Sequence, residues 1–243
     1  MTIRRFFVDK SKINNSDVVI DDEEHNHIKN VLRLNIGNNI IIVCGDGYDY
    51  NCIIKEINKN NTVVEIKNRQ HNVYDACSYV CVYQAITKKD SLYLITQKLT
   101  ELGVKEMVLI ETANTTAKDS FNKIYKLEQI SKQSIKQCKR STPIKISGTK
   151  KLKDIVQDFK DFDIVIFANE TEIKQNLKDL ITAKKHNKIA VIVGSEGGFT
   201  SNEIKLIESA GAKSITLGKR ILKAETASIV ISSLVLYELG ELN

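Results

Sequence analysis

The chain of 243 residues lacks an apolar stretch long enough to cross a membrane. Its longest apolar run, Ile229–Tyr237, is interrupted by two serines, whereas a membrane-spanning helix needs about 20 consecutive apolar residues. The first residues, MTIRRFFVDKSK, lack the apolar core of a signal peptide. We therefore expect a cytoplasmic protein that does not enter a membrane.

The chain also lacks a cysteine pattern typical of disulfides or of zinc sites. Its five cysteines cannot all pair, and none belongs to a CxxC motif. His25 and His27 lie in an acidic segment without a third ligand nearby. We therefore expect no metal site, and buried free thiols at Cys44, Cys52, Cys77, Cys81 and Cys138.

The chain carries an excess of positive charge, and its composition is that of a folded protein. The formal net charge is +6 and the pI is about 8.9, with 42% hydrophobic and 27% charged residues. The hydrophobic content is sufficient for a real core and argues against broad disorder. The positive charge is compatible with an anionic partner such as nucleic acid, and equally with a lysine-rich solvated surface.

Residues 1–70 have the pattern of a small β-rich domain. A helix is predicted over Asp22–Arg33, and the polar segment Arg69–Ser78 is predicted to be a linker. Short β-branched or alternating runs predict strands over Arg4–Val8, Val18–Ile20, Asn39–Cys44, Asn51–Ile57 and Thr62–Lys67.

Residues 76–243 alternate between strand and helix patterns, which predicts an α/β domain with a mostly parallel sheet. Asp90 is predicted to be an N-cap, and Thr200 and Glu203 form a capping-box pattern. Strands are predicted over Tyr79–Ile86, Glu106–Ile110, Asp163–Ala168, Ile189–Val193 and Ser214–Leu217. Helices are predicted over Asp90–Leu102, Asn122–Arg140, from Thr200 to Gly211, and over Ala224–Leu239.

Two turns in this second domain, Gly194–Phe199 and Leu217–Leu222, follow predicted strands. Their glycine spacing matches neither the GxGxxG dinucleotide fingerprint nor a P-loop, so phosphate cradling is not expected. Open α/β sheets bind ligands at the carboxyl ends of their strands. The turns therefore favour a site for an adenine-like ligand, with Ile221 and Leu222 as an apolar wall. The alternative is that the glycines only make tight connections.

The amino-acid sequence of these turns resembles that of a known protein family. The segment GSEGGFTSNE resembles GPEGGFxxxE, and LGKRILKAETA resembles LGxRILRxETA, both motifs of the bacterial RsmE family in the SPOUT superfamily. The segments RRFFV, HIKNVLRLNIGN and QKLTELGV are similar to further family landmarks, in the same order. Members of this family methylate a uridine at N3 in the 16S RNA of the small ribosomal subunit.

The resemblance implies a PUA-like β-barrel over 1–70 that binds RNA and a trefoil-knotted α/β methyltransferase domain over 76–243. It also implies a homodimer with S-adenosyl-L-methionine bound in the knot. The family's methyl-donor site corresponds here to Gly194, Glu196, Gly197, Gly198, Leu217, Gly218, Ile221 and Leu222. The sequence departs from the family pattern at Asn114 and Lys223 (both usually Arg), at Ser195 (usually Pro), and at Lys136 and Lys139.

The chemistry of methyl transfer to a uridine indicates which charged residues are candidates for catalysis and for RNA contacts. The uracil N3 carries a proton, so its methylation needs a general base or a cation that stabilises the developing negative charge. Arg140 is the first candidate, followed by Lys223 beside Arg220, and Glu225 is a candidate base or merely a helix-dipole partner. For phosphate contacts the candidates are Arg4, Arg5, Lys29 and Arg33.

Two other functions remain open at this point. One alternative is a related SPOUT enzyme that acts on another RNA. The other is a non-catalytic RNA-binding or ribosome-assembly factor that keeps the fold. The departures at Asn114 and Lys223 motivate the second alternative, and the presence of both cofactor turns argues against it.

Overall fold

The computed structural model of this chain describes residues 3–14, 16–115, 121–169, 177–182 and 186–242. The chain divides into two compact units. The first comprises residues 1–75 and 132–143, and the second comprises residues 76–131 and 144–243. Within the described ranges, none of the helices has the length and apolar character needed to cross a membrane.

The first unit is built on a six-stranded sheet with the strand order β1-β4-β5-β6-β3-β2. The pair β1 and β4 is parallel, and the other pairs are antiparallel. The buried side chains are mostly β-branched residues at alternate positions, such as Ile40 and Ile42, which close around Phe6 and Ile28. The strands are β1 (Arg4–Phe7), β2 (Ile13–Asn14), β3 (Asp17–Ile20), β4 (Asn39–Val43), β5 (Tyr48–Ile57) and β6 (Thr62–His71).

The helix of the first unit is shorter than predicted. Helix α1 (Asp22–Asn26) continues as a wider π-helical turn over His27–Val31 and ends there. Arg33 adopts a left-handed φ of +50°, which does not continue a right-handed helix beyond Val31. The prediction of a helix to Arg33 was therefore two residues too long.

The predicted linker was wrong in its first part, because β5 and β6 form a longer hairpin than the pattern indicated. Tyr48 pairs with His71 and Tyr50 pairs with Arg69. The guanidinium of Arg69 lies 3.5 Å from the centroid of the Tyr48 ring. This cation–π contact explains how a polar end of β6 is held in the sheet without apolar side chains.

The second unit contains a six-stranded, fully parallel sheet with the order β12-β10-β11-β7-β8-β9. The predicted strands are confirmed to within two residues at each end, and β9 was not predicted. The strands are β7 (Tyr79–Ala85), β8 (Glu106–Glu111), β9 (Lys145–Lys151), β10 (Ile164–Ala168), β11 (Lys188–Val193) and β12 (Lys213–Ile215).

Helices cover both faces of this sheet, which explains why its strands read as continuous apolar runs. On β7, Val80 and Val82 lie in the core cluster that includes residues of α2 and α7, whereas Cys81 and Tyr83 lie in the cluster that includes α4 and α6. The helices are α2 (Lys89–Leu102), α3 (Phe121–Cys138), α4 (Leu152–Ile155), α5 (Leu177–Thr182), α6 (Ser201–Ser209) and α7 (Ala224–Glu238).

Two local predictions about this unit have different outcomes. Asp90 is not the N-cap of α2, because the helix begins at Lys89 and its cap residue Lys88 makes no side-chain cap bond. The capping box of α6 is confirmed: Thr200 Oγ1 accepts from the amide of Glu203, whose carboxylate accepts from the amide of Thr200.

The expectation of buried thiols holds for Cys52 and Cys81 only, since Cys77 is exposed and Cys44 and Cys138 are half-buried. Burial raises the pKa of Cys52 to about 12, so its thiol is inert at neutral pH. In the part of the chain that the structure describes, no three His, Cys, Asp or Glu side chains are grouped so as to hold a metal ion.

Candidate active site

The first glycine turn connects β11 to α6. It closes with a 3.0 Å hydrogen bond from the amide of Gly198 to the carbonyl of Ser195, and Gly198 has a φ of +62°. Gly194 is buried where the turn folds back on itself. A Cβ at Gly194 would lie 3.3 Å from the backbone of Gly198 and from the ring of Phe199. Glycine is therefore required here by space, and at Gly198 by backbone conformation.

The second turn connects β12 to α7. Its shape is set by Thr216, whose Oγ1 accepts from the amide of Gly218 at 3.2 Å, and by Gly218 itself, which has a φ of +106°. The helix begins after Lys223, with Glu225 in its first turn. Amide groups at a helix N-terminus lack intrahelical partners and attract anionic groups.

The two turns enclose one cavity at the carboxyl end of the parallel sheet. Strands β11 and β12 are not neighbours, because β10 lies between them. Ala168, which ends β10, and Asn169, which follows it, therefore line the space between the turns. The cavity has a volume of about 530 Å³. This value lies within the roughly 300–1,000 Å³ typical of small-molecule sites.

The lining of the cavity fits an adenosyl group with an amino-acid tail. Val193, Phe199 and Leu217 provide apolar surface for a flat ring. Backbone groups of both turns, together with the carboxylates of Glu196 and Glu225, provide donors and acceptors for polar edges and for an ammonium group. The small residues at the turns allow the close backbone approach that an adenine edge needs.

Cations surround the opening of this cavity. Lys88, Lys219, Arg220 and Lys223 all line it and are exposed. Within the described residues, none of the four forms a salt bridge. They are therefore available to an anionic ligand such as an RNA phosphate.

Comparisons with known proteins match this architecture over nearly the whole chain. Residues 20–67 match the family described as RNA methyltransferase PUA domain, and residues 76–236 match the RNA methyltransferase domain family. The ribosomal RNA small subunit methyltransferase E of Rickettsia conorii is 31% identical over 232 residues, covering 94% of this chain and 93% of the relative. The chain belongs to the ribosomal RNA small subunit methyltransferase E family.

Other members and solved structures agree. The family enzyme of Mesomycoplasma hyopneumoniae is 32% identical over 230 residues, covering 93% of this chain and 96% of that protein. The structure of ribosomal RNA small subunit methyltransferase E from Neisseria gonorrhoeae, bound to S-adenosyl methionine, has a TM-score of 0.85 at 23% identity. The match covers 97% of this chain and 98% of that chain. A methyltransferase from Legionella pneumophila in complex with the cofactor SAM has a TM-score of 0.88 at 22% identity, with 98% of each chain covered.

These matches confirm the predicted RsmE family and the predicted fold class. The fold is α/β, with an RNA methyltransferase domain preceded in the chain by a PUA domain; the trefoil knot stays a prediction from the family resemblance.

Most residues predicted from the family motifs lie together in the cavity. Gly197 is the exception, since it does not line the cavity and faces Asn114 instead. The predicted apolar wall is only partly formed, because the side chain of Ile221 is 82% exposed at the opening. The predicted site residues that line the cavity are Gly194, Glu196, Gly198, Leu217, Gly218, Ile221, Leu222, Lys223 and Glu225.

The cavity is also lined by residues outside the motifs that were not predicted as cofactor-site residues, among them Lys88 and Ser91 at the start of α2 and Ala168 and Asn169 at the end of β10. The only sequence signal for them was their place after predicted strands, since all parallel strands end at the same edge of the sheet. The amide of Lys88 donates to Glu196 Oε1 at 3.0 Å, so the first turn also fixes the start of α2.

Arg140 lies in the first unit and is not among the cavity-lining residues. Arg140 is 1% exposed, and its Nε donates a hydrogen bond to Asp75 Oδ1 at 3.1 Å. A side chain this buried cannot contact an RNA base in this conformation. Its position therefore favours a structural role over the predicted catalytic one.

The predicted RNA contact at Arg5 needs correction. Both terminal nitrogens of Arg5 bind the carboxylate of Asp49, at 2.9 and 2.5 Å, and the Arg5 side chain is 6% exposed. A bidentate pair of this kind leaves no guanidinium surface for phosphate. Lys29 is half-buried and donates to the carbonyl of Asn58 at 2.9 Å, whereas Arg4 and Arg33 are exposed.

Proposed function

We propose that this protein is an S-adenosyl-L-methionine-dependent methyltransferase that methylates N3 of a uridine in the 16S RNA of the small ribosomal subunit. The observation that carries the proposal is the cavity in which the two family turns, 194–199 and 216–223, meet. The cofactor is S-adenosyl-L-methionine, held by the backbone of these turns and by the apolar side chains between them. Within the described ranges, no three His, Cys, Asp or Glu side chains are grouped so as to hold a metal ion.

The proposed chemistry assigns a task to three charged residues of the cavity, Glu225, Arg220 and Lys223. When bound, S-adenosylmethionine supplies a methyl group that its sulfonium already activates. Glu225 accepts the N3 proton of the uridine, because its carboxylate lines the cavity at the start of α7. Arg220 and Lys223 lower the pKa of the N3–H group, because a nearby positive charge favours its deprotonated form. Arg140 stays a predicted catalytic residue.

The RNA contacts that we propose involve both units. In the first, PUA-like domain (residues 1–70), Arg4 and Arg33 contact phosphates, and Lys29 does so where its ammonium is not engaged. In the methyltransferase domain (residues 76–243), the cations at the cavity opening continue this role. Such contacts place the RNA without reading its sequence.

We also propose a homodimer that acts in the cytoplasm, where ribosomal subunits are assembled. Its support is that α2 and α7 leave large apolar side chains exposed: Leu94 is 40%, Leu234 42% and Tyr237 56% exposed. Exposed apolar groups of this size are common at subunit interfaces. Sedimentation equilibrium measures the mass in solution, and a monomer at micromolar concentration would contradict the dimer.

The decisive test of the function is methyl transfer. Labelled S-adenosylmethionine is incubated with the protein and small ribosomal subunits that lack the modification, and the RNA is digested for nucleoside mass spectrometry. We expect 3-methyluridine. A different methylated nucleoside favours a related enzyme with another target, and cofactor binding without any product favours an RNA-binding or assembly factor.

Neutralising the cations of the second turn should weaken RNA binding and its dependence on salt. In Lys219→Gln/Arg220→Gln we expect the slope of log K against log salt to fall by about 1.4–1.8, because each lost phosphate contact removes about 0.7–0.9. The measurement is a fluorescence titration of the RNA at several salt concentrations.

The matched control is Lys205→Gln/Lys213→Gln. It changes the net charge equally in the same domain, at two exposed lysines that do not line the cavity. An equal loss of slope in both double variants would mean that only the overall charge attracts the RNA, and not the opening of the cavity.

A further inference from the structure

The loop after β8 holds the first glycine turn through Asn114. Its Nδ2 donates to the carbonyl of Gly197 at 2.7 Å and lies 3.3 Å from the carbonyl of Gly198. In return, Ser195 Oγ donates to the carbonyl of Asn114 at 3.2 Å. The loop and the turn are thus joined by hydrogen bonds in both directions.

Gly197 packs closely against Asn114. A Cβ at Gly197 would lie 2.9 Å from the Cβ of Asn114 and 3.2 Å from its Cγ, which is closer than real Cβ contacts. The backbone of Gly197 is not left-handed, so the requirement for glycine is one of space. The side chain of Asn114 therefore lies directly against the turn.

The loop that carries Asn114 is itself fixed at two further points. Thr115 Oγ1 accepts from the amide of Thr112 at 2.9 Å, which closes the loop locally. Glu203 Oε1 accepts from the amide of Ala113 at 2.7 Å. Because Glu203 also belongs to the capping box of α6, the same carboxylate connects the loop to the helix that follows the turn.

We propose that Asn114 is a positioning residue of the cofactor site. By holding the carbonyls of Gly197 and Gly198, its amide fixes the two peptide planes on either side of Gly198, which lines the cavity. This inference rests on the proposed function, because it takes the cavity to be the S-adenosylmethionine site. Asn114 acts through the turn and does not itself line the cavity.

The chemistry of the side chain suits this role. The family pattern has an arginine at this place, and Asn114 is a short neutral amide whose nitrogen is occupied by backbone acceptors. Two amide hydrogens can serve two carbonyl oxygens, which a carboxylate of the same shape cannot do. Asn114→Asp is therefore the sharpest substitution, since it keeps the shape and places an acceptor against two acceptors.

The test compares cofactor binding by Asn114→Ala and Asn114→Asp in the full chain by isothermal titration calorimetry. We expect the Kd for S-adenosylmethionine to rise about three- to tenfold in Asn114→Ala, as for the loss of a net hydrogen bond, and further in Asn114→Asp. The KM for the cofactor should rise in parallel, with the KM for RNA unchanged. The thermal midpoint should stay near that of the wild type, because Asn114 is exposed.

Amide hydrogen exchange of residues 194–199 in the cofactor-free protein gives a readout that needs no ligand. Exchange should be faster in both Asn114 variants. The control is Asn187→Ala, which removes an exposed asparagine side chain at the opposite end of β11. A reciprocal variant sharpens the test: the loss of affinity in Gly197→Ala should shrink in an Asn114→Gly background, because the colliding Cβ is gone.

The outcomes separate the two proposals. If the wild type does not bind S-adenosylmethionine, the proposed function fails, and hydrogen exchange still decides whether Asn114 holds the turn. If the wild type binds, and both Asn114 variants bind equally well with unchanged exchange, the positioning role is overturned. A Kd that falls in Asn114→Asp would also overturn it, since that would indicate direct attraction of the positive cofactor.

Discussion

Gly194→Val is expected to weaken the binding of S-adenosylmethionine strongly, with a rise in Kd on the order of 100-fold, or about 2.7 kcal/mol. A Cβ alone would already lie 3.3 Å from the Cα and the carbonyl carbon of Gly198 and from the ring of Phe199. Two of these three neighbours are backbone atoms, which can move only if the turn opens. The branched side chain should therefore displace the turn that lines the cavity. Calorimetry with the purified variant measures the effect.

The control replaces a different glycine of the same unit: cofactor binding by Gly148→Ala is compared with cofactor binding by Gly194→Ala. Gly148 lies in β9 of the same unit, and a Cβ there would lie 3.9 Å from Ile124 Cδ1, an ordinary contact. Gly148→Ala should bind the cofactor like the wild type, whereas Gly194→Ala should lose part of the affinity. Unchanged affinity in Gly194→Val would mean that this cavity is not the cofactor site.

The sequence was sufficient for those parts of the site that are contiguous in the chain. The turns at 194–199 and 217–222 carry glycines whose spacing and neighbours resemble one family, and both are placed by the strands that precede them. Asn169 and Lys88 could not be assigned in this way. They reach the cavity only because the strand order puts β10 between β11 and β12 and β7 beside β11. Such an order depends on pairings between distant segments, which local patterns do not encode.

The charged residues show a second limit of sequence reasoning. Arg5 was predicted to contact phosphate as one of a basic set in the first domain, and Arg140 was predicted to be catalytic because it ends a predicted helix beside Pro143. Each is buried because an aspartate reaches it from elsewhere in the chain: Asp49 is 44 residues from Arg5, and Asp75 is 65 residues from Arg140. No periodicity or motif signals such a pair. The structure was therefore needed to show that Arg5 and Arg140 each form a buried ion pair.

Asp75→Ala should cost the first unit about 3–5 kcal/mol of unfolding free energy, because it leaves the buried charge of Arg140 without its carboxylate. Asp75 also accepts from Ser141 Oγ at 2.6 Å and from Thr142 Oγ1 at 2.9 Å. The side chains of Arg140 and Asp75 are 2% and 9% exposed, so water cannot replace the lost partner. Urea denaturation followed by circular dichroism measures the loss.

The pH dependence gives an independent check on this pair. Burial opposes the ionisation of Asp75, but hydrogen bonds from its three neighbours outweigh it and hold the pKa of this carboxyl below its ordinary value. A lowered folded pKa stabilises the protein above the pKa of the unfolded chain, and the stabilisation is lost as the pH falls through the folded pKa. The wild type should therefore lose this stability as the pH falls below 3.8, the ordinary pKa of an aspartate, and Asp75→Ala should lose less over the same range.

Two comparisons then decide whether Arg140 is structural or catalytic. Asp17→Ala is the matched control for stability, since Asp17 pairs with Lys55 at 3.4 Å in the same unit but with 40% and 45% of the two side chains exposed. It should change the stability by no more than about 1 kcal/mol. The double variant Asp75→Leu/Arg140→Met replaces the buried pair with apolar side chains, which often restores stability. If this variant folds, binds the cofactor and still methylates RNA at the wild-type rate, Arg140 is a structural residue. If it folds and binds but turnover is lost, the catalytic prediction for Arg140 is correct despite its burial.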